Sequence, residues 1–220
     1  MAKSVKPRPY HAPRRAEAAA RTRRTIAEAA SRLFAEHGYN AVTMAQIAVE
    51  AGVAADTVYA AIGPKPMLFR LLIERAISGE DEAVTPLERD YVRTMRAEPD
   101  AREKLAIYAR AVRRIQARLA PLFLALQAAV RSDPDLAALW REISERRAAN
   151  MRLLAADLAA TGSLRADISV EQVADIIWSM NAAEYYDLLV QQRGWPPERF
   201  EAWLIDAWQR LLLREPGSDA

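Results

Sequence analysis

Cysteine is absent from all 220 residues, which excludes disulfides, thiolate metal sites and a cysteine nucleophile, and fits a reducing compartment. Histidine is nearly absent. His11 and His37 stand far apart and leave little from which to build a histidine metal site or general base. No apolar run is long enough to span a bilayer. The basic opening residues are interrupted by Pro7, Pro9 and Pro13, and no apolar signal-peptide core follows them. Nothing reads as a phosphate loop, a metal-ligand spacing or a nucleophile constellation. Together these gaps predict a cytoplasmic protein that works without metal or cofactor, is no enzyme and does not enter a membrane.

What is present is charge unevenly placed. The net charge is only +2, but residues 1–24 hold eight cations (Lys3, Lys6, Arg8, Arg14, Arg15, Arg21, Arg23 and Arg24) against Glu17. That +7 leaves −5 for the remainder of a chain whose total is +2. A basic end on a mildly acidic body suits a polyanion, although a solvated tail with no partner has the same composition. Residues 1–20 read as a flexible basic arm able to lie on phosphates or enter a minor groove.

The stretch from Thr43 to Lys65, TMAQIAVEAGVAADTVYAAIGPK, carries the most specific pattern. Thr43 can cap a short helix whose Met44, Ile47, Ala48 and Ala51 share one apolar face. Gly52 then supplies the left-handed turn that glycine takes most cheaply, and Val53 packs beneath it. A second short helix runs from about Ala55 to Ala61, with Val58 and Ile62 turned back toward Ile47 and the small Ala48. This is the pattern of a helix-turn-helix, in which the second helix can lie in the major groove. A preceding helix from about Arg14, with Ile26, Ala29, Ala30, Leu33 and Phe34 as its stripe and His37-Gly38 as its stop, completes a three-helix unit. Pro64 and Pro66 then open a fourth helix, in which Met67, Leu68, Leu71, Leu72 and Ala76 are expected to face the core.

In order and spacing, Thr43, Ile47, Ala48, Ala51, Gly52, Val53, Thr57, Val58, Tyr59, Gly63, Lys65 and Leu68 resemble the tetracycline-repressor (TetR) family of bacterial regulators. The resemblance is strong over residues 25–68 and extends over most of 21–213. It implies an all-α chain with an N-terminal helix-turn-helix domain and a larger helical body of ligand-binding and dimerising function, about nine helices in all. The boundaries expected are 1–20 for the arm, 21–79 for the DNA-binding domain with its connecting helix, and 80–220 for the body. It also implies a double-stranded DNA operator, a homodimer and a small-molecule effector, with DNA approached by Thr43, Ala45, Gln46, Ala54, Ala55, Asp56, Thr57, Tyr59, Ala60 and Lys65, assisted by Arg21 and Arg24. The alanines depart from the family, which often places aromatic or polar residues where Ala60 and Ala61 stand. Alanine reads only a thymine methyl, so Gln46 and the basic arm are expected to carry specificity.

Beyond Gly79 the pattern is helical throughout. A short helix is expected at Leu87–Met95, one capped by Asp100 that ends near Leu119, another from Pro121 to about Arg131, one from Pro134 to about Ala160, and one capped by Ser169 and Gln172 that reaches about Gln192. The last, from Pro197, carries Phe200, Trp203, Leu204, Ala207, Trp208 and Leu211 and, with the helix before it, is expected to form the dimer interface. Polar or amphipathic residues among apolar positions mark an effector pocket: Tyr108, Gln127, Trp140, Arg147, Met151, Trp178, Asn181, Glu184 and Tyr185. Each is also readable as ordinary core or surface. Two other functions fit the same pattern: a dimeric DNA-binding protein without effector, and a helical enzyme on an amphipathic substrate with Glu184 and Tyr185 as acid and base.

Overall fold

Helix ends in this chain follow local capping chemistry. In the computed structural model, which describes residues 12–79, 88–131 and 133–215, the first helix is α1 (Ala12–Ala41), interrupted at Gly38, whose φ of 75° lies outside helical space. The expected residues Ile26, Ala29, Ala30 and Phe34 are buried, and Tyr39 and Val42 close the core beyond the interruption. Thr43 begins α2 (Met44–Ala51) through a reciprocal box: its Oγ1 accepts from the Gln46 backbone N–H at 3.2 Å, and Gln46 Oε1 accepts from the Thr43 N–H at 2.7 Å. Gly52, at φ 67°, turns the chain, and α3 (Ala55–Ala61) follows. The helix-turn-helix is therefore present at the expected residues.

The connecting helix α4 (Lys65–Ser78) starts behind Pro64, with Pro66 in its first turn where no N–H is needed. Its buried face is Leu68, Phe69, Leu72, Ile73 and Ala76. Met67, expected inside, is 56% exposed, and Leu71 is only half-buried, because the core-facing stripe is rotated toward the aromatic pair on α1. Phe69 meets Phe34 and Tyr39 edge-on at ring-centre distances of 5.0 and 5.1 Å.

The body consists of α5 (Asp90–Ala97), α6 (Ala101–Ala129), α7 (Pro134–Ala160), α8 (Val170–Met180), α9 (Ala183–Tyr186) and α10 (Pro197–Leu212). Helix α5 starts later than the Leu87 expected for it, and residues 80–87 lie outside those described. The break expected at Pro121 does not occur. Proline removes one helical hydrogen bond, but Leu119, Ala120, Leu122, Phe123 and Leu126 are buried on either side of it, and that packing carries α6 through. The opposite error concerns the helix expected to reach Gln192. It stops at Met180, Asn181 and Ala182 leave helical geometry, and α9 leads into a π-helical turn at Asp187–Gln192.

Helix α6 is the central post, with α1 and α4 on one part of it and α5, α7, α9 and α10 around the remainder. Two ion pairs fasten α4 to α7: Arg70 to Glu142 in a two-pronged contact at 2.8 and 2.7 Å, and Glu74 to Arg146 at 2.5 Å. Arg118 Nε adds a hydrogen bond to the Ala76 carbonyl at 3.1 Å. Of the flexible basic arm expected at residues 1–20, residues 1–11 lie outside those described, and 12–20 belong to α1 instead. Among the described residues no helix is long and apolar enough to cross a membrane.

Candidate nucleic-acid interface and interior cavity

Helix α3 buries a single residue, Val58, against the rest of the molecule. Ala54, Ala55, Asp56, Tyr59 and Ala60 are exposed, Thr57 is half-buried, and Thr43, Ala45 and Gln46 are exposed at the start of α2 beside it. Arg21 and Arg24 are exposed on α1. Ten of the twelve residues singled out from the sequence are thus exposed, Thr57 and Lys65 are half-buried, and Ala55 and Ala60 leave the exposed side of α3 smooth.

Two side chains have less freedom than expected. Gln46 Oε1 is engaged twice, by the Thr43 N–H and by its Oγ1 at 2.9 Å, so only its amide N–H groups remain for a base edge. The Lys65 ammonium lies 4.0 Å from the centre of the Tyr39 ring, a cation–π contact at the N-terminus of α4. Burial lowers the Lys65 pKa, with Asp133 opposing, whereas burial pushes the Tyr39 phenol up to about 12 and Asp133 and Asp135 add to that rise. The phenol therefore stays neutral beneath the cation.

Between α5, α6 and α7 lies a cavity of about 460 Å³, within the range of small-molecule sites. Its apolar wall on α6 is Tyr108, Val112, Ile115, Leu119 and Phe123, an i, i+4, i+7, i+11, i+15 stripe. Tyr108 is stacked on the fully buried Trp208 at 5.5 Å and accepts a hydrogen bond from Asn181 Nδ2 at 2.7 Å. Burial pushes the Tyr108 phenol far up, so it remains a neutral hydroxyl. Gln116 Nε2 donates to the Asn181 carbonyl at 2.5 Å, which explains why the helix breaks there: the unwound turn brings both amides to the cavity wall.

Of the nine residues expected to mark a ligand pocket, Tyr108, Arg147, Met151 and Asn181 border this cavity. The other five do not, Trp140 being half-buried elsewhere on α7. Gln127 donates to Glu184 at 3.1 Å on the exposed surface, the Tyr185 hydroxyl accepts from Trp203 Nε1 at 2.6 Å, and Trp178 lies outside under the Arg147 guanidinium. The helix break at Asn181 sets Glu184 and Tyr185 on a separate helix, α9, off the line of α8. Sequence reasoning missed Arg89 and Gln116; Gln116 falls at i+8 on the Tyr108 stripe, a signal that was available.

Residues 26–61 match the family model described as bacterial regulatory proteins, tetR family. No curated protein matches the sequence. Among solved structures, the chain is similar to NalD, the secondary repressor of the MexAB-OprM multidrug efflux pump in Pseudomonas aeruginosa (20% identity, 91% of this chain, 100% of that one, TM-score 0.69). It is also similar to a protein described as a transcriptional regulator from Saccharomonospora viridis in complex with choline (19%, 89% and 99%, TM-score 0.67). A tetR-family regulator from Mesorhizobium loti overlays at a TM-score of 0.63 (20%, 89% and 98%). Residues 26–61 therefore match the tetR-family helix-turn-helix, and the chain as a whole shares the all-helical fold of these solved structures.

Proposed function

We propose that the chain is a repressor that binds operator DNA as a homodimer and leaves it when a small molecule occupies the cavity of the body. The observation that carries this reading is the pairing of an α3 with one buried residue and a cavity of about 460 Å³, joined through α4. A body that served only to dimerise would need no such cavity. Residues 21–79 would then act as the DNA-reading unit and 80–220 as the sensing and pairing unit. Similarity to a repressor and to a regulator holding choline supports the same division of labour.

An effector can act only by favouring one conformation over another. Two copies of α3 fit successive major grooves when they lie ~34–36 Å apart, and the Arg70–Glu142 and Glu74–Arg146 pairs link their supporting helix to a cavity-bearing one. A ligand that moved α7 would thereby tilt α4 and respace the pair.

Sequencing the DNA fragments retained by the purified protein at moderate salt tests the reading. Recovery of one inverted-repeat sequence supports it, and recovery of no sequence enrichment overturns it. On that operator, Lys65→Met should weaken binding alike on matched and mismatched sites and lower the log–log salt slope by ~0.9, the loss of one phosphate contact. For pairing, the outer faces of α8, α10 and the π-helical turn expose Trp178 (37%), Leu188 (47%), Trp203 (40%) and Leu211 (42%), whereas Trp208, also expected there, belongs to the core. Sedimentation velocity at micromolar concentration should give a dimer; a monomer would remove the two-groove geometry and the proposal with it.

A further inference from the structure

Among the charged residues around the cavity, the ones that point to its ligand are those without a partner. Arg146 is held by Glu74 at 2.5 Å, and Asp157 holds Lys104 at 2.7 Å, so both are compensated. Arg147 is different. Its guanidinium stacks 4.4 Å from the centre of the Trp178 ring, its Nε is buried with no hydrogen-bond partner among the described residues, and burial depresses its pKa against weaker support from Tyr108 and Glu184. Arg89, on the approach to α5, also lines the cavity and has a buried Nε without a partner among the described residues. A half-buried guanidinium with an unpartnered Nε is costly to desolvate, and a cavity lined by two of them suits negative charge from elsewhere.

The same pole of the cavity has acceptors to spare. Gln116 and Asn181 are 5% and 3% exposed, and Oε1 of the one and Oδ1 of the other have no hydrogen-bond partner among the described residues. Asn181 bonds the Tyr108 hydroxyl, and that hydroxyl lies within electrostatic range of both Arg89 and Arg147. Cations and orphan amide oxygens therefore gather around one point, and Val112, Ile115, Leu119, Phe123 and Leu154 line the apolar remainder.

We propose that the cavity takes an amphipathic monocarboxylate, with its carboxylate between Arg89 and Arg147, a hydroxyl or N–H near it facing Gln116 and Asn181, and an apolar tail along α6. An amphipathic cation meets the opposite environment, since Asp157, the one carboxylate of the cavity wall among the described residues, is already paired. The proposal rests on the reading of this cavity as an effector site, and deepens it.

Calorimetric titration of the full-length protein without DNA, using decanoate, β-hydroxydecanoate, decanol and decyltrimethylammonium below their micellar concentrations, tests the assignment. Decanoate is expected to bind about tenfold or more tightly than decanol, β-hydroxydecanoate more tightly still, and the ammonium compound not at all. Arg147→Gln and Arg89→Gln should each weaken decanoate about tenfold and leave decanol unchanged. The unliganded melting temperature of Arg147→Gln should hold or rise, since the variant removes an uncompensated charge. Equal binding of cation and carboxylate, or undiminished decanoate binding in both variants, overturns the carboxylate site. β-Hydroxydecanoate binding no tighter than decanoate overturns the role given to the two amides. If decanoate binds as described but leaves the operator complex intact, the effector reading fails and the carboxylate site stands. If operator binding is specific and none of the four amphiphiles binds, the carboxylate site fails alone.

Discussion

Alanine in place of Asp157 is expected to lower the stability of the fold by about 3–5 kcal/mol, read from urea unfolding at neutral pH. Lys104 is 3% exposed, and its ammonium has two partners: Asp157 Oδ2 at 2.7 Å and the Met95 carbonyl at 2.9 Å. Without the carboxylate, a positive charge stays inside the body with one neutral acceptor, and its desolvation is no longer offset. The Asp157 side chain is 32% exposed, which lets water approach the gap and argues for the lower end of the range. Replacing both partners together, Lys104→Met with Asp157→Leu, should return most of the loss, because an apolar pair of similar size carries no uncompensated charge. By contrast, the pair between Arg93 and Asp90 has side chains 66% and 90% exposed, and removing it should change stability by less than ~1 kcal/mol. A double variant as costly as the single one would show that the charge is not the cause.

Phe69→Ala is expected to cost about 3–5 kcal/mol and to abolish operator binding. The ring is fully buried and makes edge contacts with Phe34 at 5.0 Å and Tyr39 at 5.1 Å, each such pair being worth ~0.5–1.5 kcal/mol beyond the area buried. Those two rings belong to α1, and Lys65 rests on Tyr39, so one side chain fixes the helix behind the reading surface and the cation at its edge. Removing it leaves a cavity that Phe34 and Tyr39, stacked on each other at 5.6 Å, cannot both fill. Hydrogen exchange should therefore show amides of α1 to α4 losing protection before those of α6 and α10. Uniform loss of protection through the whole chain would mean that the N-terminal helices do not open separately.

How much of this was legible in the sequence differs from one device to another. Helix starts at Thr43, Asp100, Asp133 and Ser169, and the turn at Gly52, depend on a few adjacent atoms, and each lies where its residue type predicts. Features decided across the chain were not legible. Pro121 ends a helix by its own chemistry, but the burial of Leu119 and Phe123 on both sides outweighs one missing hydrogen bond. The break at Asn181 requires Gln116 and Tyr108, 65 and 73 residues away, and no periodicity within α8 announces it. The outward position of α3 was legible because its exposure follows from its lone buried apolar residue, Val58. The cavity was half legible: Tyr108 and Asn181 interrupt apolar stripes visibly, whereas Arg89 stands among charged neighbours and carries no mark of burial. Gln127 misled because the α6 stripe, followed from Tyr108 at 3.6 residues per turn, has rotated away from the cavity by the time it reaches that position.

Arg146 belongs to two neighbourhoods at once. One side of its guanidinium holds Glu74 on the helix behind the reading surface, and the same side chain forms part of the cavity wall. A single side chain thus separates the cavity from α4, so a guest that displaced Arg146 would loosen its bond to Glu74, and whatever strengthened that bond would weaken the hold on the guest by the same factor.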